Sequence, residues 1–200
     1  MATPRGGRRA TATPRGEARE RILDTAFGLF YAHGVRGVGV DTIIASSGVA
    51  KATFYKHFPS KDDLAVAYLD RVDGLWRGQL QAAAAAAGPE PRARLVGMFD
   101  ALVAVSRHDD FHGCAFINTA AESAPGSPVH ARSVEHKAAV RAWVREIAGQ
   151  AGAHDPDALA RALTLLLDGG LAEGVLDGDP SAARAAKQAA GELVEKHCRR

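Results

Sequence analysis

Apolar side chains recur along this chain with the spacing of helices, and no stretch shows the alternation of a strand. From Glu17 onward, Ile22, Leu23, Ala26, Phe27 and Phe30 fall on one helical face, and the run stops at His33-Gly34, a glycine of the kind that ends helices. Residues 41–47 predict a brief second helix carrying Ile43 and Ile44, closed by Gly48. Residues 49–58 predict a third, ended by Pro59, in which Phe54 and Phe58 stand four apart and point inward together. Ser60 is a good N-cap, with Asp63 as the acid of a capping box, for a fourth helix running from Lys61 into the alanines at 82–87. At ~1.5 Å per residue that helix is roughly 40 Å long, enough to leave one domain and enter the next. Gly74 and Gly78 weaken it locally.

Gly88, Pro89 and Pro91 break the pattern, and further helices are predicted over about 92–107, 111–123, 128–152, 156–176 and 180–197. Residues 1–16 hold Pro4, Pro14, Gly6, Gly7 and Gly16 with almost no apolar side chains, and predict a disordered basic arm. The reading is therefore all-α, with a three-helix head over residues 17–60 joined to a larger helical body over 61–200. Within the head, Ser47-Gly48-Val49 separates two short helices as in a helix-turn-helix. Glycine there permits a left-handed backbone, and Val49 is placed to bury between the helices.

Composition adds limits rather than detail. At 200 residues and 46% hydrophobic content the chain can bury a core without disulfides or a structural metal. Its two cysteines, Cys114 and Cys198, fit a reducing compartment, and the N-terminal segment lacks the apolar stretch of a secretory signal, so a cytoplasmic protein is expected. No apolar run is long enough to cross a membrane. Charge is uneven: residues 1–60 carry nine Lys/Arg against four Asp/Glu, residues 61–200 sixteen against nineteen. A basic end on a mildly acidic body points to a polyanion, although a basic tail also serves solubility alone.

Enzyme signatures are missing. There is no nucleotide loop and no Ser/His/Asp frame, and Asp168-Gly169-Gly170 sits inside a helical pattern. Eight histidines raise metal binding, but no C-x-x-C accompanies them, and no metal or other cofactor is expected.

The stretch GVAKATFYKHFPSKDDL, Gly48 to Leu64, resembles the signature of TetR-family transcriptional regulators. VGVDTIIASS, Val38 to Ser47, is similar to the second helix of that family, and ARERILDTAFGLFYAHG, Ala18 to Gly34, to its first. FHGCAFINTAAE, Phe111 to Glu122, and HKAAVRAWV, His136 to Val144, resemble one subgroup of its regulatory domains. The resemblance implies a homodimeric bacterial repressor that binds a palindromic double-stranded DNA operator and is released when the body takes up a small molecule.

On that resemblance Lys51, Ala52 and Thr53 open the recognition helix and approach base edges, Lys51 toward guanine acceptors. Tyr55, Lys56 and His57 fall to phosphates, as do Thr42 and Ser47, with Lys61 adding charge at the start of the long helix. Arg5, Arg8, Arg9 and Arg15 are placed to follow a groove as an arm. One departure stands out: where the family usually has Ser or Thr to cap the second helix and touch phosphate, this chain has Gly39.

For the body, Trp76, Met98, Phe99, Phe111, Phe116 and Trp143 are candidate walls of a largely apolar effector pocket, beside Leu75, Leu102, Ile117 and Leu166. Asn118 and Glu122, four apart on an otherwise apolar helix, are candidate polar contacts, as are His136 and Asp168. A polar group there needs a neighbouring helix, a water or a ligand. Most of the apolar set serves equally as ordinary core. The leucines, alanines and glycines of the last two helices fit either a dimer face or an internal one. An all-α enzyme and a regulator without an effector are the competing functions.

Overall fold

A computed structural model describes residues 14–198, and among them every regular element is an α-helix. The head is α1 (Pro14–His33), α2 (Val40–Ser47) and α3 (Lys51–His57). The body is α4 (Lys61–Ala86), α5 (Pro91–Gly97), α6 (Phe99–Val105), α7 (Ala115–Glu122), α8 (Pro128–Gln150), α9 (Pro156–Asp177) and α10 (Ser181–His197). Because α1 begins at Pro14, the last residues assigned to the arm are helical. Arg5, Arg8, Arg9 and the side chain of Arg15 lie outside the described residues.

The head closes on the side chains that the period singled out. Ile22, Leu23, Ala26 and Phe30 of α1 are buried with Ile43, Val49, Phe54 and Phe58. Removing Phe54 to Ala would cost about 3–5 kcal/mol, since the ring is wholly enclosed. Gly48 takes φ 66°, and its N–H donates to the Ile44 carbonyl at 3.1 Å, so α2 ends and α3 can turn away from it. The head core runs on into Leu64, Ala65, Tyr68 and Leu69 of α4. Phe27 and Phe30 meet the Tyr68 ring edge-on, each at 5.6 Å between centroids.

The start of α4 is capped as its sequence predicts. The Ser60 hydroxyl accepts from the Asp63 N–H at 3.1 Å, and the Asp63 carboxylate accepts from the Ser60 N–H at 2.9 Å. The helix continues unbroken through Gly74 and Gly78, and α1, α5, α6 and α8 all pack against it. The single helix predicted over 92–107 is interrupted at Met98, between α5 and α6. There Gly97 lies so close to the end of α4 that a Cβ would overlap Ala87. α7 starts at Ala115 rather than at 111, because Gly113 bends the chain with φ 78°. The remaining helices agree with the sequence pattern to within two residues at each end. α9 and α10 form a tightly packed hairpin joined through Gly178, with α8 alongside α9. Ala183, Ala186 and Ala190 let α10 approach closely.

Candidate DNA interface and effector cavity

α3 is a short helix with one greasy side and one polar side. Phe54 and Phe58 hold it to the head, while Lys51, Ala52, Tyr55 and Lys56 are exposed and Thr53 and His57 are half-buried at its flanks. The Tyr55 ring rests edge-on against Phe54 at 5.3 Å yet leaves 43% of the residue open, so packing aims a phenol that solvent still reaches. The small side chain of Ala52 lets a partner come close to the helix. The Lys51 ammonium stands 3.5 Å from the Asp41 carboxylate, both well exposed. Such a surface pair is weak and yields readily to a polyanion.

The structure places the remaining candidates less uniformly. Thr42 is exposed in the first turn of α2. Ser47 is 5% exposed, and its hydroxyl donates to the Ile44 carbonyl at 3.2 Å, so it completes the turn inside the head rather than facing a groove. Lys61 is half-buried, and the amides around it belong to the Ser60–Asp63 box, so the start of α4 already holds a carboxylate where an anion was anticipated. Gly39 is the N-cap of α2 with no side chain to satisfy the free amides.

The body holds a cavity of about 200 Å³ between α1, α4, α7 and α9, floored by the loop before α7. Of the sequence candidates it gathers Trp76, Phe111 and Phe116, with Leu75. Met98 and Phe99 are wholly buried in the core and do not reach it, and Trp143 packs on the core elsewhere. Asn118 is exposed, and its amide donates to the His112 carbonyl at 2.9 Å, pinning the loop. Glu122 turns to the head: its carboxylate accepts from the Arg36 N–H at 2.8 Å and lies against Gly34. The partner that its position demands is therefore a neighbouring loop.

Two wall residues come from the head itself. Phe27 and Tyr31, one turn apart on α1, both line the cavity. The Tyr31 hydroxyl accepts from the His112 N–H at 3.1 Å and donates to the Gly113 carbonyl at 3.4 Å, tying α1 to the cavity floor. Burial raises its pKa and keeps the phenol protonated, although the His112 amide pulls the other way. Phe27 reads as plain head core in sequence. The one hint of a second role is its i,i+4 pairing with Tyr31, beyond the residues needed to close the head.

Behind Phe116 lies a polar clamp. The His136 ring stacks on Phe116 at 3.5 Å, and its Nδ1 is 2.6 Å from the Asp73 carboxylate. Arg132 bonds Asp73 at 2.9 Å and Asp70 at 2.6 Å, so α8 is bolted to α4. Burial lowers the His136 pKa despite the Asp73 hydrogen bond, so the ring is neutral near pH 7 and donates from Nδ1. Burial opposes the Asp73 charge, but hydrogen bonds from His136 and Arg132 outweigh it and hold the carboxyl below its usual range. Lys137 similarly engages Asp168. His136 and Asp168 are thus spent on structure. His108 and His112 stand four apart, yet among the described residues no group of three His, Cys, Asp or Glu is placed to hold a metal ion. No described helix is long and apolar enough to cross a membrane.

Comparison with known proteins places this architecture. Residues 22–68 match the family model described as bacterial regulatory proteins, tetR family. The solved structure of SCO4454, a TetR-family transcriptional regulator from Streptomyces coelicolor, superposes with a TM-score of 0.85. It is 36% identical, over 92% of this chain and 97% of that one. The transcriptional regulator AcuR of Cereibacter sphaeroides is 28% identical over 193 residues, 88% of this chain and 85% of its own length. The transcriptional activator FasR of Mycolicibacterium smegmatis is 41% identical over 78 residues, 38% of this chain and 36% of its own. The match to FasR thus spans about a third of that relative's length. With a head of this geometry and a likeness running the length of a solved member, the chain belongs to the TetR family of DNA-binding transcriptional regulators, a family of regulators and not of enzymes.

Proposed function

We propose that this chain is an effector-responsive repressor that binds a palindromic operator as a homodimer and lets go when a small apolar molecule enters the body. The observation that carries this reading is the cavity wall: α1, the central helix of the head, contributes Phe27 and Tyr31 to a pocket otherwise built from the body. Occupancy there bears directly on the seating of the head. On this reading Lys51, Ala52 and Thr53 meet base edges, while Tyr55, Lys56, His57 and Thr42 hold phosphates. The work is done in the cytoplasm, where the operator is.

Support for the dimer comes from α9. Leu165, Gly169, Ala172 and Leu176 follow one another along a single face, and Leu165 and Leu176 are 64% and 78% exposed. Leucines so bare are costly on a lone surface and fit a self-complementary two-fold interface, with α10 beside it. A dimer must then set its two α3 helices ~34–36 Å apart, or a multiple of that, to reach successive major grooves. A shift of a few ångströms in that separation loses the register.

Selection of bound sequences from a random DNA pool, at two salt concentrations, tests the reading. One palindrome, with affinity falling steeply as salt rises, is the expected result. Recovery of half-sites alone would remove the dimer, and recovery of nothing above background would remove unaided DNA reading. Transcription from the recovered operator with and without the protein then separates repression from activation.

A further inference from the structure

The lining of the cavity restricts what it can hold. None of its thirteen wall residues carries a formal charge: they are Phe27, Tyr31, Phe111, Phe116 and Trp76, with aliphatic and small residues and the exposed Gln79. The charged groups behind the wall are already engaged, His136 and Arg132 with Asp73, and Lys137 with Asp168. The Tyr31 hydroxyl is committed to His112 and Gly113. An ionised ligand group seated against this wall would meet no counter-charge and would lose part of its hydration, an unfavourable exchange. Half-buried aromatic faces from Phe27, Tyr31, Trp76 and Phe111 remain open to stacking. The volume, about 200 Å³, exceeds only modestly the ~150 Å³ of an apolar cavity that admits benzene. Leu75 and Gln79, both exposed on α4, stand at the mouth, where Gln79 offers an amide to one polar group.

We infer that the cavity takes a compact, uncharged, predominantly apolar molecule of one or two fused rings, stacked against Phe27 and Tyr31 of the head, with a single hydroxyl or carbonyl directed to Gln79. The inference rests on the reading of this cavity as the effector site and specifies its ligand class.

The full-length protein is titrated by calorimetry with 2-naphthol, 2-naphthoate and 1-hydroxypyrene. The first two share a ring frame and differ in charge near neutral pH, and the third has four rings. The expected result is saturable binding of one 2-naphthol per chain, at least about tenfold weaker binding of 2-naphthoate, and none of 1-hydroxypyrene. Leu75→Trp, at an exposed position that tolerates change, narrows the mouth and weakens 2-naphthol several-fold. Equal or tighter binding of the carboxylate overturns the charge assignment, and binding of 1-hydroxypyrene overturns the size. Failure of 2-naphthol to bind overturns the inference as a whole, as does binding that Leu75→Trp leaves unchanged while the variant keeps its helical circular dichroism. The selected operator separates this from the broader reading. Binding of 2-naphthol without DNA release keeps the ligand class and removes the release mechanism, whereas release by the carboxylate alone does the reverse.

Discussion

Two hydroxyls near the helix turn show how single residues divide between fold and recognition. Thr53 stands half-exposed on α3, while Ser47, six residues earlier, is turned inward onto the Ile44 carbonyl. Thr53→Ala should relax preference at one operator position and leave the others unchanged, read by competition among single-base operator variants. Tyr55→Phe, by contrast, should weaken all sequences alike. Lys56→Ala should do the same and lower the salt slope by roughly one, since one phosphate contact is lost. Gly39 makes a third case. Its φ of −77° suits any residue, and a Cβ there would meet only the Thr42 hydroxyl at ordinary contact distance. Gly39→Ser should raise stability by a few tenths of a kcal/mol through capping and tighten operator binding, as measured by thermal melting and fluorescence anisotropy. A serine that stabilises without tightening would mean that this turn stands clear of the backbone of the DNA.

At the scale of elements, two seams set how the head sits on the body. One joins α7 to the loop after α1 through Glu122 and the Arg36 N–H. Glu122→Ala should lower unfolding stability by about 1 kcal/mol and weaken operator binding several-fold. Loss of stability with operator affinity intact would confine Glu122 to packing. The other seam bolts α4 to α8 through Asp73, His136 and Arg132. The folded-state pKa of His136 lies below its ordinary 6.5, so below that pH the unfolded chain takes up a proton that the folded ring refuses. Stability should therefore fall from about pH 6.5 downward until the ring protonates in the fold as well. Asp73, also lowered from 3.8, adds its own loss only in stronger acid. Urea unfolding from about pH 7 to about pH 5 should show the first decline, and His136→Gln should flatten it.

For the whole molecule, the exposed leucines of α9 are where the proposed dimer is tested. Leu165→Glu with Leu176→Glu buries no charge within the chain, because both side chains already face solvent. The double variant should keep its helical content, sediment as a monomer and lose operator affinity by orders of magnitude, since each α3 would then bind alone. A variant that remains a dimer would move the interface elsewhere on the body.

Most helices and most of their ends were legible from local chemistry, the break at Met98 and the late start of α7 excepted. Periodicity, Ser60 with Asp63, and the Gly34 and Gly48 stops placed the elements, because each depends on residues within a turn or two of one another. The motif from Gly48 to Leu64 was equally local, and the exposed side of α3 followed from Phe54 and Phe58 facing inward. The cavity was not legible in this way. Trp76, Phe111 and Phe116 look no different in sequence from Met98, Phe99 and Trp143, and only packing sorts wall from core. Phe27 and Tyr31 of the head join that wall, while Glu122 and His136 find partners 86 and 63 positions away. Such pairings depend on how long helices cross, and helical period records which face is apolar but not what that face will meet.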